Sequence, residues 1–158
     1  MSPSGISGSS DLPQNLGDLV SRAGSPDRPI IIGLDAEGRE TVMTRAGLDG
    51  MADAFARGLL AKGLKRGDRI ALVAANRPDY VALLLGAMRA GIVPVPVNFK
   101  LPAASIGDII VDCGAKLVIH DAARATALEP ARFPEAHLAA FDAPGAAGLE
   151  PWLDPGPF

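Results

Sequence analysis

Three short runs dominated by apolar residues, at 70–75, 92–97 and 116–120, constrain the fold of this chain more than any other feature. The first, 70–75, lacks the apolar-polar alternation of a half-exposed strand. This is the pattern of a strand covered on both faces, as parallel strands are. The segments between the three runs have helical spacing. Val81, Leu84, Leu85 and Met88 recur at i, i+3, i+4 and i+7 between Pro78, suited to a first helical turn, and Gly91. Ile106, Ile109, Ile110 and Cys113 repeat the stripe between Pro102 and Gly114, a helix stop. Strands and helices alternating through short connections predict an α/β fold, a mostly parallel sheet with helices on both faces. Pro94 and Pro96 lie two apart in one strand, so both missing ladder donors point the same way, toward an edge or irregular structure.

Upstream, residues 30–34 and 40–43 flank the turn Asp35-Ala36-Glu37-Gly38 and predict a hairpin. Thr44 suits an N-cap, followed by Leu48, Met51, Ala52, Phe55 and Leu59 as one buried stripe ending near Gly63. Asp53 and Arg57 lie four apart on its opposite side. Gly47, Gly50 and Gly58 each weaken that helix by about 1 kcal/mol against alanine, so close packing is expected to hold it. Downstream, Asp121 is expected to cap a short helix to about Glu129, and 138–141 reads as a last strand. The expected organisation is a flexible Ser-, Gly- and Pro-rich leader over 1–13, an α/β unit over 14–142 and a Pro/Gly-rich linker over 143–158.

A chain of 158 residues with 48% hydrophobic residues can close a core without disulfides or metal, burying roughly two thirds of its unfolded surface. A net charge of −3 gives no electrostatic reason to expect nucleic acid. One cysteine, Cys113, excludes an internal disulfide and a cysteine-built zinc site, and fits a cytoplasmic location. A membrane span needs roughly 18 apolar residues, whereas the most apolar helical stretch, 81–88, is broken at Arg89. No secretion signal is legible at the start.

Ligands of open parallel sheets sit beyond the carboxyl ends of the strands. Those positions here are Asn76-Arg77, Asn98-Phe99-Lys100 and His120-Asp121. Two readings stay open: solvated loops and helix starts, or a converging ligand edge. Arg77 precedes a helix N-terminus, where an anion is favoured, but without a glycine to admit a phosphate to the backbone. His120 beside Asp121 lacks a nucleophile or a glycine-lined pocket. His137 has no second ligand at metal spacing, and Cys113 falls on an apolar stripe. No G-x-G-x-x-G, G-x-x-x-x-G-K-[ST] or G-x-S-x-G motif occurs, which counts against a dinucleotide fold, a P-loop nucleotidase and an α/β-hydrolase.

Gly63-Leu64-Lys65-Arg66-Gly67-Asp68-Arg69-Ile70-Ala71-Leu72, then Asn76-Arg77-Pro78-Asp79-Tyr80-Val81, then 89–98 ending Pro94-Val95-Pro96-Val97-Asn98 follow in order. Together with Asp112-Cys113-Gly114-Ala115-Lys116, this series resembles the N-terminal part of AMP-forming acyl-CoA synthetases over roughly residues 15–120. Asn98-Phe99-Lys100-Leu101 is similar to the Asn-Pro-Arg-Leu of acyl- and aryl-CoA ligases, while peptide-synthetase adenylation domains usually begin that stretch with Asp-Pro. Arg45 and Gly47 depart from the family, which often has an aromatic residue and a Glu there.

The resemblance implies part of the large N-terminal domain of the adenylate-forming fold. It also implies a parent enzyme that activates a carboxylic acid with ATP and Mg²⁺ to an acyl-adenylate and passes the acyl group to CoA. The family's Ser/Thr/Gly-rich phosphate loop, acidic nucleotide motifs and C-terminal catalytic lysine have no counterpart here. The chain is therefore expected to be scaffold, inactive alone, with no catalytic residue. Lys100 is the residue the resemblance places near the nucleotide phosphate of CoA. Two other classes remain: a non-catalytic α/β interaction module, and a stand-alone small-molecule-binding domain using Asn76, Asn98 and His120.

Overall fold

The computed structural model describes residues 15–35 and 37–156. The leader expected over 1–13 and the unit's start at residue 14 lie outside the described residues. β1 (Pro29–Leu34) and β2 (Glu40–Thr44) form an antiparallel hairpin with Ile32 opposite Val42 and Leu34 opposite Glu40. Asp35 builds the turn, its carboxylate accepting from the N–H groups of Glu37 and Arg39. Backbone and side-chain bonds from Arg39 hold the Asp35 carboxyl below its ordinary range against weak opposition from burial. Thr44 then caps α1 (Arg45–Ala61), its hydroxyl accepting from Gly47 N–H at 3.1 Å.

The main sheet follows the predicted alternation: β3 (Arg69–Val73), α2 (Pro78–Arg89), β4 (Val93–Pro96), α3 (Ala103–Cys113), β5 (Leu117–His120) and β6 (His137–Ala140). Its order is β4-β3-β5-β6, and every pair is parallel. Strand alternation splits the core in two. Ile70, Leu72, Leu117 and Ile119 face α1 and α2 through Phe55, Leu59, Leu83 and Ala87. Ala71, Val73 and Val118 face α3 through Ile106 and Ile110. Helices therefore cover both faces, which is why these strands carry unbroken apolar runs.

β4 is an edge strand, as Pro94 and Pro96 require. The N–H groups of Val93 and Val97 donate to Asp68 and Leu72 carbonyls on the β3 side, at 2.8 and 2.9 Å, so the proline nitrogens turn outward.

Asp53 accepts from Arg22 and Arg89, and Arg57 donates to the Asp154 carbonyl through Nε at 3.0 Å and Nη2 at 2.6 Å. Two local expectations change. Asp121 makes no side-chain cap to the 3-10 turn Ala122–Ala127, because its carboxylate is taken up by β3's exit loop. Residues 143–156, expected as a linker, fold back onto α1. Leu149 and Trp152 are buried in the core, and Asp154 N–H donates to Ala54. Proline and glycine keep regular structure there to the short 3-10 turns Gly145–Ala147 and Glu150–Trp152, but one tryptophan carries enough apolar area to dock the segment. Of the three glycines in α1, Gly58 fits the close-packing expectation: a methyl there would overlap the Trp152 carbonyl, whereas one at Gly50 would meet open space.

The deepest ion pairing joins α1 to α2. Arg89, its side chain only 5% exposed, donates to Asp49 and Asp53 at 2.7 Å each and to the Gly17 carbonyl at 2.9 Å.

Candidate functional site

Parallel pairing brings all four strand exits to one edge, in the order Asn98–Lys100, Asn76–Arg77, His120–Asp121 and Phe141–Asp142. The edge divides into two unlike halves. In the first, Arg77 Nε donates to Asp79 at 2.6 Å, and Nη1 reaches Asp142 at 2.7 Å and Asp121 at 3.4 Å. Its guanidinium also lies over the Phe141 ring, 4.5 Å from the centroid. Burial works to lower the pKa of this group. The hydrogen bonds and charges of Asp79 and Asp142 outweigh it and hold the guanidinium above its ordinary value.

Asp121 closes this half. Its other carboxylate oxygen accepts from Ala75 N–H at 2.7 Å, so one side chain ties the exit of β3 to that of β5. Three carboxylates surround one cation, and this neighbourhood repels rather than collects anions. His120, 5% exposed, ends β5 and donates Nδ1–H to the Asp121 carbonyl at 2.9 Å. That bond fixes the ring against the backbone. Asn76 is exposed beside a cleft of about 370 Å³ that runs between Arg77, Pro78 and the hairpin residues Gly33 and Leu34.

The second half is built on the turn after β4. Asn98 Oδ1 accepts from Lys100 N–H at 3.0 Å and the Asn98 carbonyl accepts from Leu101 N–H at 3.1 Å. The Asn98 and Lys100 side chains are exposed. Phe99 packs against the α3-side core, and its ring carries Lys100 Nζ at 5.8 Å from the centroid and Arg124 at 5.3 Å. The structure therefore brings Arg77 together with Asp121, and leaves Asn98 and Lys100 apart from them: among the described residues no hydrogen bond or ion pair joins Asn98 or Lys100 to Arg77 or Asp121.

Elsewhere, burial raises the Cys113 thiol, which donates to the Ile110 carbonyl at 3.4 Å, so the thiol is protonated and unactivated. His137 is exposed and tilted against Trp152, ring centroids 5.6 Å apart. Among the described residues no three His, Cys, Asp or Glu side chains are placed to hold a metal ion, and no helix is long and apolar enough to cross a membrane. A larger open cleft, about 620 Å³, lies by Arg66 and the residues leading into β4, at the amino end of that strand.

Residues 20–150 match the model of the family described as AMP-binding enzyme. The chain belongs to that family. It is 37% identical over 90 residues to a long-chain-fatty-acid-CoA ligase of Mycobacterium tuberculosis, covering 57% of this chain and 18% of the relative. It is 38% identical over 80 residues to a feruloyl-CoA synthase of Amycolatopsis, covering 51% and 16%. The chain thus spans less than a fifth of the length of these relatives. Among solved structures, the Brucella canis acyl-CoA synthetase superposes with a TM-score of 0.71 at 25% identity, over 83% of this chain and 24% of that one. ATP-bound MatB from Rhodopseudomonas palustris, at 24% identity and a TM-score of 0.71 over 90% and 28%, shares the fold. The chain is thus built as part of an adenylate-forming N-terminal domain.

Arg124 and Arg89 escaped the sequence reading. Arg124 precedes no helix and follows no strand directly, and Arg89 registers there as a polar interruption of an apolar stretch and as the first residue of the 89–98 block, with no partner named. Both roles depend on residues distant in the chain.

Proposed function

We propose that this chain is the N-terminal scaffold of an acid-CoA ligase. In the first half-reaction a carboxylate oxygen attacks the α-phosphorus of ATP and pyrophosphate leaves. In the second, the sulfur of CoA attacks the acyl carbon and AMP leaves. Mg²⁺ would neutralise phosphate charge in the first step. The observation that carries this reading is the family match over residues 20–150, supported by relatives that are fatty-acid and aromatic-acid CoA ligases.

Within that enzyme the chain's own part is structural, with one exception. Lys100 stands exposed on the fixed turn after β4 and would meet the nucleotide phosphate of CoA as a mobile point charge. Asn98 shapes that turn, and Asn76 and His120 line the rest of the edge. The chain supplies no phosphate loop and no catalytic lysine of the family's kind. Alone it should give no ATP–pyrophosphate exchange with any carboxylic acid, whereas a longer protein containing it should. Exchange by the 158-residue chain above a heat-killed control, or none by the longer protein across fatty and aromatic acids, counts against the proposal. In the longer protein Lys100→Ala should raise KM for CoA at low salt while leaving adenylation intact, since CoA enters only at the second step.

A second reading has one observation behind it. Ile32, Leu34 and Val42 leave an apolar outer face on the hairpin, 60%, 67% and 50% exposed, as an interaction module would. The same face is expected where the remainder of a larger domain packs.

A further inference from the structure

An open sheet has two edge strands, and an edge left bare is a template for a strand from another chain. Here the edges are β4 and β6, and they are closed by different means. β4 needs nothing laid over it, because its outward nitrogens belong to Pro94 and Pro96 and cannot donate. β6 has no such protection. The N–H groups of His137 and Phe141 donate to the Lys116 and His120 carbonyls on the β5 side, both at 2.9 Å, so by alternation those of Leu138 and Ala140 turn outward. Residues 138–141, Leu-Ala-Ala-Phe, carry neither proline nor charge.

The segment 143–154 lies along this strand instead. Gly148 bridges Ala140 at the carboxyl end of β6, and the Trp152 ring meets that of His137 at the amino end. Its far end is fastened to α1: Asp154 N–H donates to Ala54, the Asp154 carbonyl accepts from Arg57, and Lys62 Nζ stands 4.9 Å from the Trp152 ring centroid. The regular structure between is two short 3-10 turns. Segments with so little backbone pairing open ahead of the fold as a whole.

We propose that 143–154 is a strap that closes the β6 edge, and that the opened edge takes the β6 edge of a second copy of this chain. The match is self-complementary. In an antiparallel pair centred on Ala139, Leu138 of each copy stands opposite Ala140 of the other, so their outward N–H and C=O groups bond in pairs and no charges oppose one another over 138–140. The β4 edge of a second copy cannot answer in the same way, having no outward donor at Pro94 or Pro96. The inference does not depend on the ligase reading.

The test compares the 158-residue chain with three variants that loosen the strap. In Gly148→Ala the added methyl overlaps the Ala143 carbonyl, in Gly58→Ala it overlaps the Trp152 carbonyl, and Trp152→Ala removes the anchor. Retained circular dichroism and a cooperative thermal transition select the variants that fold, and Gly148→Ala, which alters no core side chain, serves where Trp152→Ala does not. Amide hydrogen exchange is read by NMR in dilute solution, and sedimentation equilibrium gives the oligomeric state as concentration rises. Exchange at Leu138 and Ala140 should quicken by about tenfold in the variants, while the amides of β3 and β5 keep their wild-type protection. The variants should then self-associate more strongly than wild type, with protection returning at Leu138 and Ala140 in the associated form. Unchanged exchange at those two amides overturns the strap. Faster exchange without self-association, or association no stronger than in wild type, overturns the second copy as occupant. New protection at Ile32 and Leu34 of the hairpin in place of β6 overturns it as well.

Discussion

Arg77 and Arg124 stand at the same sheet edge in opposite company. Arg77 is shared by three carboxylates and an aromatic ring, and its side chain is 28% exposed. Among the described residues the Arg124 side chain has only the ring of Phe99, which it shares with another cation. One half of the edge therefore uses its charges on holding strand exits together, and the other leaves its charges unspent. Being a cation after a parallel strand is not sufficient to mark a ligand residue; what decides is whether the fold has already neutralised it.

The largest expected effect separates the halves by stability. Arg77→Ala leaves Asp79, Asp121 and Asp142 facing one another with their shared partner gone. Charge-assisted bonds in a partly desolvated site put the loss at about 2 kcal/mol in urea unfolding. Arg77→Lys should recover the charge but not the fork, and so only part of the loss. A change in Arg77→Ala smaller than about 0.5 kcal/mol, the ordinary range for surface substitutions, would remove the latch from the comparison.

Lys100→Gln and Arg124→Gln should fall inside that range, since each removes a weakly held cation and relieves a repulsion. Raising the salt concentration should narrow even that small difference. If either variant cost as much stability as Arg77→Ala, the second half of the edge would be structural too.

How far the sequence reaches follows the same division. Strands 70–75 and 116–120 were legible because burial on both faces removes polar residues from them, and β4's edge position was legible because Pro94 and Pro96 cannot donate on its outer side. Thr44 and Gly114 announce a cap and a stop through their own chemistry, and the structure places them so. The charged contacts were not legible. Asp121 meets Ala75 across 46 positions and Arg89 meets Asp53 across 36, so nothing local distinguishes them from solvated residues. Asp121 beside a helix start read as a cap because that is the local option, and the exit of β3 offered a better donor. Trp152 was hidden for a related reason: proline and glycine around it signal a loop, and only α1, with Gly58 leaving room, shows where the loop docks. The order of the site candidates along the edge followed from topology; which of them are free followed only from their partners.

The smallest effect tests how dry the latched half is. Tyr80 follows Asp79 in the first turn of α2, and its N–H donates to the Asp79 carboxylate at 3.1 Å. Burial raises its phenol above the ordinary value of 10.0. A folded-state pKa above the unfolded one means that the native state holds the proton longer. The contribution to stability is then complete below about pH 10, the unfolded phenol's range, and is lost as pH rises through the folded value. Cys113 acts with the same sign from a lower starting point, burial raising its thiol above 9.0. The wild-type profile alone therefore mixes the two. Urea unfolding of wild type and Tyr80→Phe from about pH 8 to about pH 11 isolates the phenol: the difference between them should be flat at first and then move against the wild type. A difference that stays flat to the alkaline end would mean that water reaches the Tyr80 hydroxyl, and the half of the edge held by Arg77 would be wetter than its ion pairs imply.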